Sequence, residues 1–146
     1  MNTNDHIDIE KLLTEGNTIQ IKPQGFSMFP LFLPGRDEAL INGVTPDSLK
    51  RGDVALYRRD SGILVLHRIF KVNANGFYMV GDNQTEIEGP LRPDQIRGKL
   101  VGIIRNGHSI SVEDRRYRLL TGIWLRLRPF RPFISKSASI FKKCFH

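Results

Sequence analysis

The 146-residue chain has almost no cysteine and no long apolar run, and both shortages narrow what it can be. Its one cysteine, Cys144, excludes an intrachain disulfide and a metal cage built from several cysteines. No stretch approaches the roughly 20 apolar residues that a membrane-spanning helix needs. Residues 1–16 are polar and acidic, so they predict no export signal. We therefore expect a protein without a transmembrane helix that is cytoplasmic or peripherally bound to a membrane.

Acidic residues are missing from the C-terminal end. Residues 115–146 contain nine Lys or Arg and no Asp or Glu, whereas residues 1–114 contain 13 basic and 15 acidic residues. Apolar residues recur there at helical spacing, which predicts a basic amphipathic helix: Leu119, Leu120, Ile123, Trp124 and Leu127. Such a helix could lie on an anionic membrane surface with Trp124 at the interface. Alternatively, its apolar face packs on the protein body or on a second copy.

The rest of the chain predicts one mostly β domain. A short helix is expected over residues 7–15, with Gly16 as its stop. Short β-branched runs separated by Gly, Pro, Asn and Asp then predict strands: TIQIK, EALI, DVALYR, ILVLHRIFKV, GFYMV and KLVGII. Their spacing favours a bent antiparallel sheet or partly open barrel. The segments are an N-terminal helical part (1–16), a β domain (17–112) and a basic tail (113–146).

Ser27 is the most informative residue in this pattern. It lies in the stretch Gln-Gly-Phe-Ser-Met-Phe-Pro (24–30), between two aromatic residues in a turn that glycine and proline stiffen. A stiff turn after a strand can present a hydroxyl in a fixed direction, as a nucleophile requires. Taken alone, however, the same residue is more simply a turn serine that bonds to local backbone.

Three further segments change this interpretation. The chain resembles the signal peptidase I family in four blocks, in matching order and spacing: G-F-S-M-F-P (25–30), R-G-D-V (51–54), H-R-I (67–69) and G-D-N (81–83). The resemblance implies that Ser27 is the nucleophile and that its backbone N–H is one oxyanion donor. It also implies that His67 is the base, as in the branch resembling the endoplasmic-reticulum and archaeal enzymes. Most bacterial members use a lysine instead.

The other candidate residues leave alternatives open. His67 could be a partly buried structural histidine. Lys71 is the competing base, but it lies about 13 Å further along the same strand, so both cannot reach Ser27. Asp82 could hold the His67 imidazole, as the resemblance implies, or could belong to an ordinary turn. Asp53 is expected to serve structure, and Gly25 stands where many bacterial members have a second oxyanion donor.

The resulting expectation is a serine endopeptidase that acts on an extended leader or signal-like peptide through an acyl-enzyme, without a metal or organic cofactor. One alternative is a non-catalytic peptide-binding or scaffold module with the same fold. Another is a self-cleaving protease resembling the phage repressors. The absence of a recognised nucleic-acid module disfavours a nucleic-acid partner. The sequence gives no indication of the oligomeric state.

Overall fold

The computed structural model describes residues 9–23, 25, 27–29 and 31–126. Helix α1 (Ile9–Thr14) ends where Gly16 adopts a φ of 86° and its N–H bonds to the Leu13 carbonyl. Glycine adopts this left-handed conformation without strain, so it commonly follows the last turn of a helix. Leu13 is buried, so α1 packs on the sheet. The predicted N-terminal helix and its stop are confirmed over these residues.

Eight antiparallel strands form the body of the protein. They are β1 (Ile19–Ile21), β2 (Asp37–Asn42), β3 (Val54–Arg58), β4 (Leu64–Asn73), β5 (Gly76–Val80), β6 (Glu88–Leu91), β7 (Ile96–Arg105) and β8 (His108–Ser111). Their order in the sheet is β1-β2-β7-β3-β4-β5-β6, with β8 paired to β7. Strands β1 and β6 do not pair with each other in the described chain, so the sheet is not closed. The predicted mostly β, open antiparallel fold is confirmed.

Apolar side chains cover both faces of the sheet. Along β3, Val54 and Leu56 belong to one buried cluster, whereas Ala55 and Tyr57 belong to another. Successive residues of a strand point to opposite faces, so the two clusters lie on opposite sides of the sheet. Met28, next to Ser27 in the chain, is buried in the first cluster. The loop that carries Ser27 is therefore held against one face.

The sequence did not predict β6 or β8. Strand β6 reads Glu-Gly-Pro-Leu, and glycine and proline are both depleted in strands. It lies at the edge of the sheet, where proline is tolerated because one side of the strand forms no ladder. Strand β8 follows β7 through a tight turn at Asn106 and Gly107, whose φ angles are 52° and 79°. An Asn-Gly pair between two strands is a strong hairpin signal, and here it joins β7 to β8.

Helix α2 (Arg115–Arg126) begins at Asp114. The Oδ1 atom of Asp114 accepts hydrogen bonds from the backbone N–H groups of Arg116 and Tyr117 at 2.9 and 3.3 Å, which caps the helix. The basic helix predicted after Asp114 is therefore present up to Arg126. The rest of the predicted tail, residues 127–146 with Leu127 and Cys144, lies outside the described residues. Within the described ranges, no helix is both long and apolar enough to cross a bilayer.

The apolar residues of α2 divide between two sides of the helix. Tyr117 packs against the first cluster, and the Trp124 Nε1 donates a hydrogen bond to the Asp82 carbonyl at 2.7 Å. Trp124 therefore contacts the protein body, whereas the sequence predicted that it would lie at a membrane interface. Leu119 and Leu120 point outward and are 65% and 66% exposed.

Candidate active site

The Ser27 turn lies between β1 and β2. Ser27 is half-buried, and the residues around it anchor the turn: Met28 is buried, and its carbonyl accepts a hydrogen bond from the Phe32 N–H at 3.0 Å. The Ser27 carbonyl accepts a hydrogen bond from the Asn83 N–H. Gln24, Phe26 and Pro30 of the same stretch lie outside the described residues.

The Gly-Asp-Asn turn at 81–83 packs directly on the Ser27 turn. The Asn83 N–H donates to the Ser27 carbonyl at 2.8 Å. A Cβ atom at Gly81 would lie 2.6 Å from the same carbonyl oxygen, so a larger residue could fit only if the Ser27 turn moved. The Asp82 N–H lies 3.5 Å from the Met28 sulfur. The first and fourth blocks therefore form one unit.

Arg68 joins this unit to the other two blocks. Its Nε and Nη2 atoms each donate to a carboxylate oxygen of Asp82 at 2.7 Å, and Nη1 donates to the Gly52 carbonyl at 2.7 Å. Burial alone would lower the pKa of Arg68, but the Asp82 carboxylate raises it above its ordinary value. Asp53 closes the neighbouring turn, where its Oδ2 atom accepts from the Lys50 N–H at 3.0 Å.

The orienting role suggested for Asp82 is not what the structure shows. Both carboxylate oxygens of Asp82 are taken by Arg68, and the His67 Nδ1 lies 3.1 Å from the Tyr57 hydroxyl instead. The physical reason is that the Arg68 guanidinium, buried beside Asp82, donates to both of its carboxylate oxygens. Asp82 therefore anchors the Ser27 turn and does not bond to the imidazole.

Ser27 and His67 line the same cleft. Most of its walls are apolar and come from α1, β1, β3, β4 and the Ser27 turn: Ile9, Ile21, Phe32, Leu56, Leu64 and Leu66. The polar side chains of Lys22, Arg59 and Gln84 line it as well. No hydrogen bond joins the Ser27 and His67 side chains in the described part of the chain. Such contacts are often long without substrate and tighten only in the complex. A polar cleft that contains Arg59 and Glu88 adjoins His67 as well.

His67 is almost fully buried, with 5% of its surface exposed. Burial lowers the pKa of its imidazole to about 4, and the nearby Arg59 acts in the same direction, while Glu88 and Asp82 oppose the change. The imidazole is therefore neutral over the physiological pH range. A neutral imidazole can accept a proton, as a general base must.

Lys71 lies elsewhere. It is exposed, and its Nζ atom lies 5.7 Å from the centre of the Tyr78 ring. Strand β4 is irregular between Ile69 and Lys71, where its pairing with β5 shifts register. Lys71 does not line the cleft that contains Ser27. Of the two candidate bases, only His67 lines the same cleft as Ser27.

The sequence does not predict the hydrogen-bonded group of Tyr57, Glu88 and Arg59 beside His67. The Tyr57 hydroxyl donates to the Glu88 Oε1 at 3.0 Å, and Arg59 binds the same carboxylate through Nη2 at 2.7 Å and Nε at 3.0 Å. Tyr57 could have been found from the pairing of the predicted strands β3 and β4. Glu88 could not, because its strand carries turn residues.

Comparison of the chain with protein-family models and with curated proteins found no match. The resemblance to the signal peptidase I family therefore stands on the four blocks alone.

Proposed function

We propose that this chain is a serine endopeptidase of the signal peptidase type that cuts an extended leader or signal-like peptide. One observation carries the proposal: Ser27 and a neutral His67 line one apolar cleft. The hydrogen bonds that join the four blocks support the proposal further. Arg68 of the third block bonds to Gly52 of the second and to Asp82 of the fourth, and the fourth block bonds to the Ser27 carbonyl through Asn83.

The proposed reaction uses an acyl-enzyme. The Ser27 Oγ attacks the carbonyl carbon of the scissile bond while His67 takes the hydroxyl proton, and the Ser27 N–H stabilises the oxyanion. His67 then gives this proton to the amide nitrogen as the carbon–nitrogen bond breaks, which releases the amine fragment. Water attacks the ester, His67 accepts the water proton, and the proton returns to Ser27 as the acid fragment leaves.

The shape of the cleft favours an extended substrate. Strand β1 is at the edge of the sheet, and Ile21 at its end lines the cleft beside Ser27. A peptide could add to this edge through main-chain hydrogen bonds. Its apolar side chains would then enter the cleft, in keeping with the family preference for small residues just before the cut.

The direct test is hydrolysis of a mixture of leader-like peptides, followed by mass spectrometry. We expect cleavage at a defined bond by the wild-type protein and none by Ser27→Ala, because this change removes only the nucleophilic oxygen. The exposed serine of the β3–β4 turn supplies a matched control, so Ser61→Ala should cleave as the wild type does. Equal cleavage by Ser27→Ala would refute the proposal, and binding without cleavage by any of the proteins would favour the scaffold alternative.

The pH dependence of cleavage should reflect the burial of His67. Because the imidazole must be neutral to act as a base and its pKa is lowered to about 4, kcat/KM should stay level as the pH falls from 7 to about 5 and decline only below that. The measurement is a pH profile of kcat/KM, with Trp124 fluorescence at each pH to verify folding. An acid limb near the ordinary histidine pKa of 6.5 would contradict a buried base.

We also propose that α2 rests on an anionic membrane surface. Leu119, Leu120 and Ile123 are exposed although Tyr117 and Trp124 already attach the helix to the body. Four exposed arginines of α2 flank these apolar residues: Arg115, Arg116, Arg118 and Arg126. An apolar strip flanked by basic residues fits the boundary between lipid headgroups and acyl chains.

Flotation with phosphatidylserine-containing vesicles tests this surface. We expect the double variant Leu119→Glu/Leu120→Glu to bind at least about tenfold more weakly, because burial of each leucine contributes on the order of 2 kcal/mol. Ile63, on the β3–β4 turn and 57% exposed, provides a matched control, so Ile63→Glu should float as the wild type does. Unchanged flotation of the double variant would exclude α2 as the membrane contact.

A further inference from the structure

The partner of His67 in this structure is a tyrosine. Tyr57 in β3 is paired with Val65 in β4, and His67 is two residues further along β4, so the two rings share a face of the sheet on neighbouring strands. Diagonal neighbours of this kind lie within reach of aromatic side chains. The ring centres are 6.1 Å apart, and the hydroxyl lies 3.1 Å from the imidazole Nδ1.

The direction of this hydrogen bond follows from the second partner of the hydroxyl. Tyr57 has one hydroxyl hydrogen, and Glu88 accepts it at 3.0 Å. An ionised carboxylate can only accept, so a Tyr57 hydroxyl that donates to Glu88 can only accept from His67. The imidazole must then carry its proton on Nδ1.

Glu88 is held in the ionised form that this direction needs. Burial tends to raise the pKa of its carboxyl group, but hydrogen bonds from Arg59 and Tyr57 lower the pKa below its ordinary value overall. Arg59 contacts both carboxylate oxygens, with Nη2 to Oε1 at 2.7 Å and Nε to Oε2 at 3.0 Å. A paired guanidinium of this geometry favours the charged carboxylate over a wide pH range.

We propose that Tyr57 and Glu88 are positioning residues that fix His67 in the Nδ1–H tautomer and leave the Nε2 lone pair to accept the Ser27 proton. The inference rests on the proposed function and deepens it. In this proposal Tyr57 and Glu88 orient the imidazole, a role that an aspartate bonded directly to the histidine has in the Ser-His-Asp triad. In histidines, the hydrogen bond that one ring nitrogen makes commonly decides which of the two nitrogens carries the proton.

The ¹⁵N chemical shifts of the His67 ring test the tautomer without reference to cleavage. At pH 7 we expect protonated Nδ1 and unprotonated Nε2 in the wild type. Tyr57→Phe retains the ring but removes the acceptor, so it should yield a mixture of tautomers. Tyr78→Phe, on the neighbouring strand β5, should leave the His67 shifts unchanged. Wild-type protein with the His67 proton on Nε2 would overturn the assignment.

Kinetics supply the second readout. Tyr57→Phe should lower kcat by about 10- to 100-fold, the range found when a histidine at a metal site loses the hydrogen bond that orients it. KM should be unchanged, because Tyr57 is argued to act through His67. In a His67→Ala background the same change should have no further effect on kcat. An equal loss in both backgrounds would mean that Tyr57 serves packing alone.

The two failures are distinguishable. If Ser27 is not a nucleophile, cleavage is absent or insensitive to Ser27→Ala while the tautomer result still stands. If the positioning inference is wrong, cleavage depends on Ser27 and His67 but neither the tautomer nor kcat responds to Tyr57→Phe.

Discussion

Replacing His67 with alanine is expected to reduce kcat by about 10²- to 10⁴-fold, the usual contribution of a positioned general base. His67 lines the cleft of Ser27 and is neutral at physiological pH, so its loss leaves the hydroxyl without an acceptor. The measurement is kcat on one cleaved peptide under saturating conditions, with thermal unfolding to verify that the variant is folded.

Lys71→Ala is the matched control for this change. Lys71 belongs to the same strand and is the competing candidate base. It is exposed, and its ammonium group lies over the Tyr78 ring and outside the Ser27 cleft. We therefore expect kcat within about twofold of the wild type, since surface changes of this kind are usually small. Loss of activity in Lys71→Ala but not in His67→Ala would reverse the assignment of the base.

The largest expected effect on stability comes from Asp82→Asn. Asp82 and Arg68 are 1% and 0% exposed and form a two-point ion pair, with both nitrogen–oxygen distances at 2.7 Å. Asparagine is similar in shape, but it is neutral and turns an NH₂ group toward a donor of Arg68. Leaving a buried charge without its partner costs about 3–5 kcal/mol, and we expect that loss in the free energy of unfolding. Urea denaturation measures it.

Asp60→Asn provides the comparison. Asp60 also pairs with an arginine, at 2.9 Å from Arg92, but its side chain is largely exposed, so the change should lower the free energy of unfolding far less than Asp82→Asn does. Asp82→Asn should also weaken cleavage, because the Asp82 turn holds the Ser27 carbonyl through Asn83. If Asp82→Asn instead lowered kcat with stability unchanged, Asp82 would be acting on the reaction and not on the Ser27 turn.

The sequence predicts the central strands well because their residues carry strong local preferences. Strands β3, β4 and β5 are dominated by β-branched and aromatic residues, and their structural bounds differ by no more than one residue from those predicted. Strand β6 could not be found in this way, since Gly89 and Pro90 are turn residues and only the pairing with β5 makes them a strand. Glu88 was missed with it.

The sequence predicts the two residues proposed to react, but it does not predict their hydrogen-bond partners. The four blocks indicate Ser27 and His67, and the structure brings both to one cleft. Which acidic residue lies near the imidazole depends on tertiary contacts that the four blocks do not specify. Arg68, the sequence neighbour of His67, binds the Asp82 carboxylate that the resemblance assigned to the imidazole. Glu88 is 21 residues further along the chain from His67 and reaches it through Tyr57.

Helix α2 shows the same dependence on tertiary contacts. The spacing of its apolar residues predicts the helix, but it does not say which of them meet the body. Trp124 donates to the Asp82 carbonyl, directly above the buried ion pair, and this contact turns Leu119 and Leu120 outward. Helix α2 therefore has one apolar side that contacts the protein body, through Tyr117 and Trp124, and another that is exposed, at Leu119 and Leu120.

Covalent labelling of Ser27 tests the central claim most directly. A serine-reactive phosphonate should form one adduct on the wild-type protein, and peptide mapping should locate it at Ser27. The adduct should be absent in Ser27→Ala, much slower to form in His67→Ala and unchanged in Ser61→Ala. An adduct that forms equally well in Ser27→Ala, or that maps to another residue, would contradict the assignment of Ser27 as a nucleophile activated by His67.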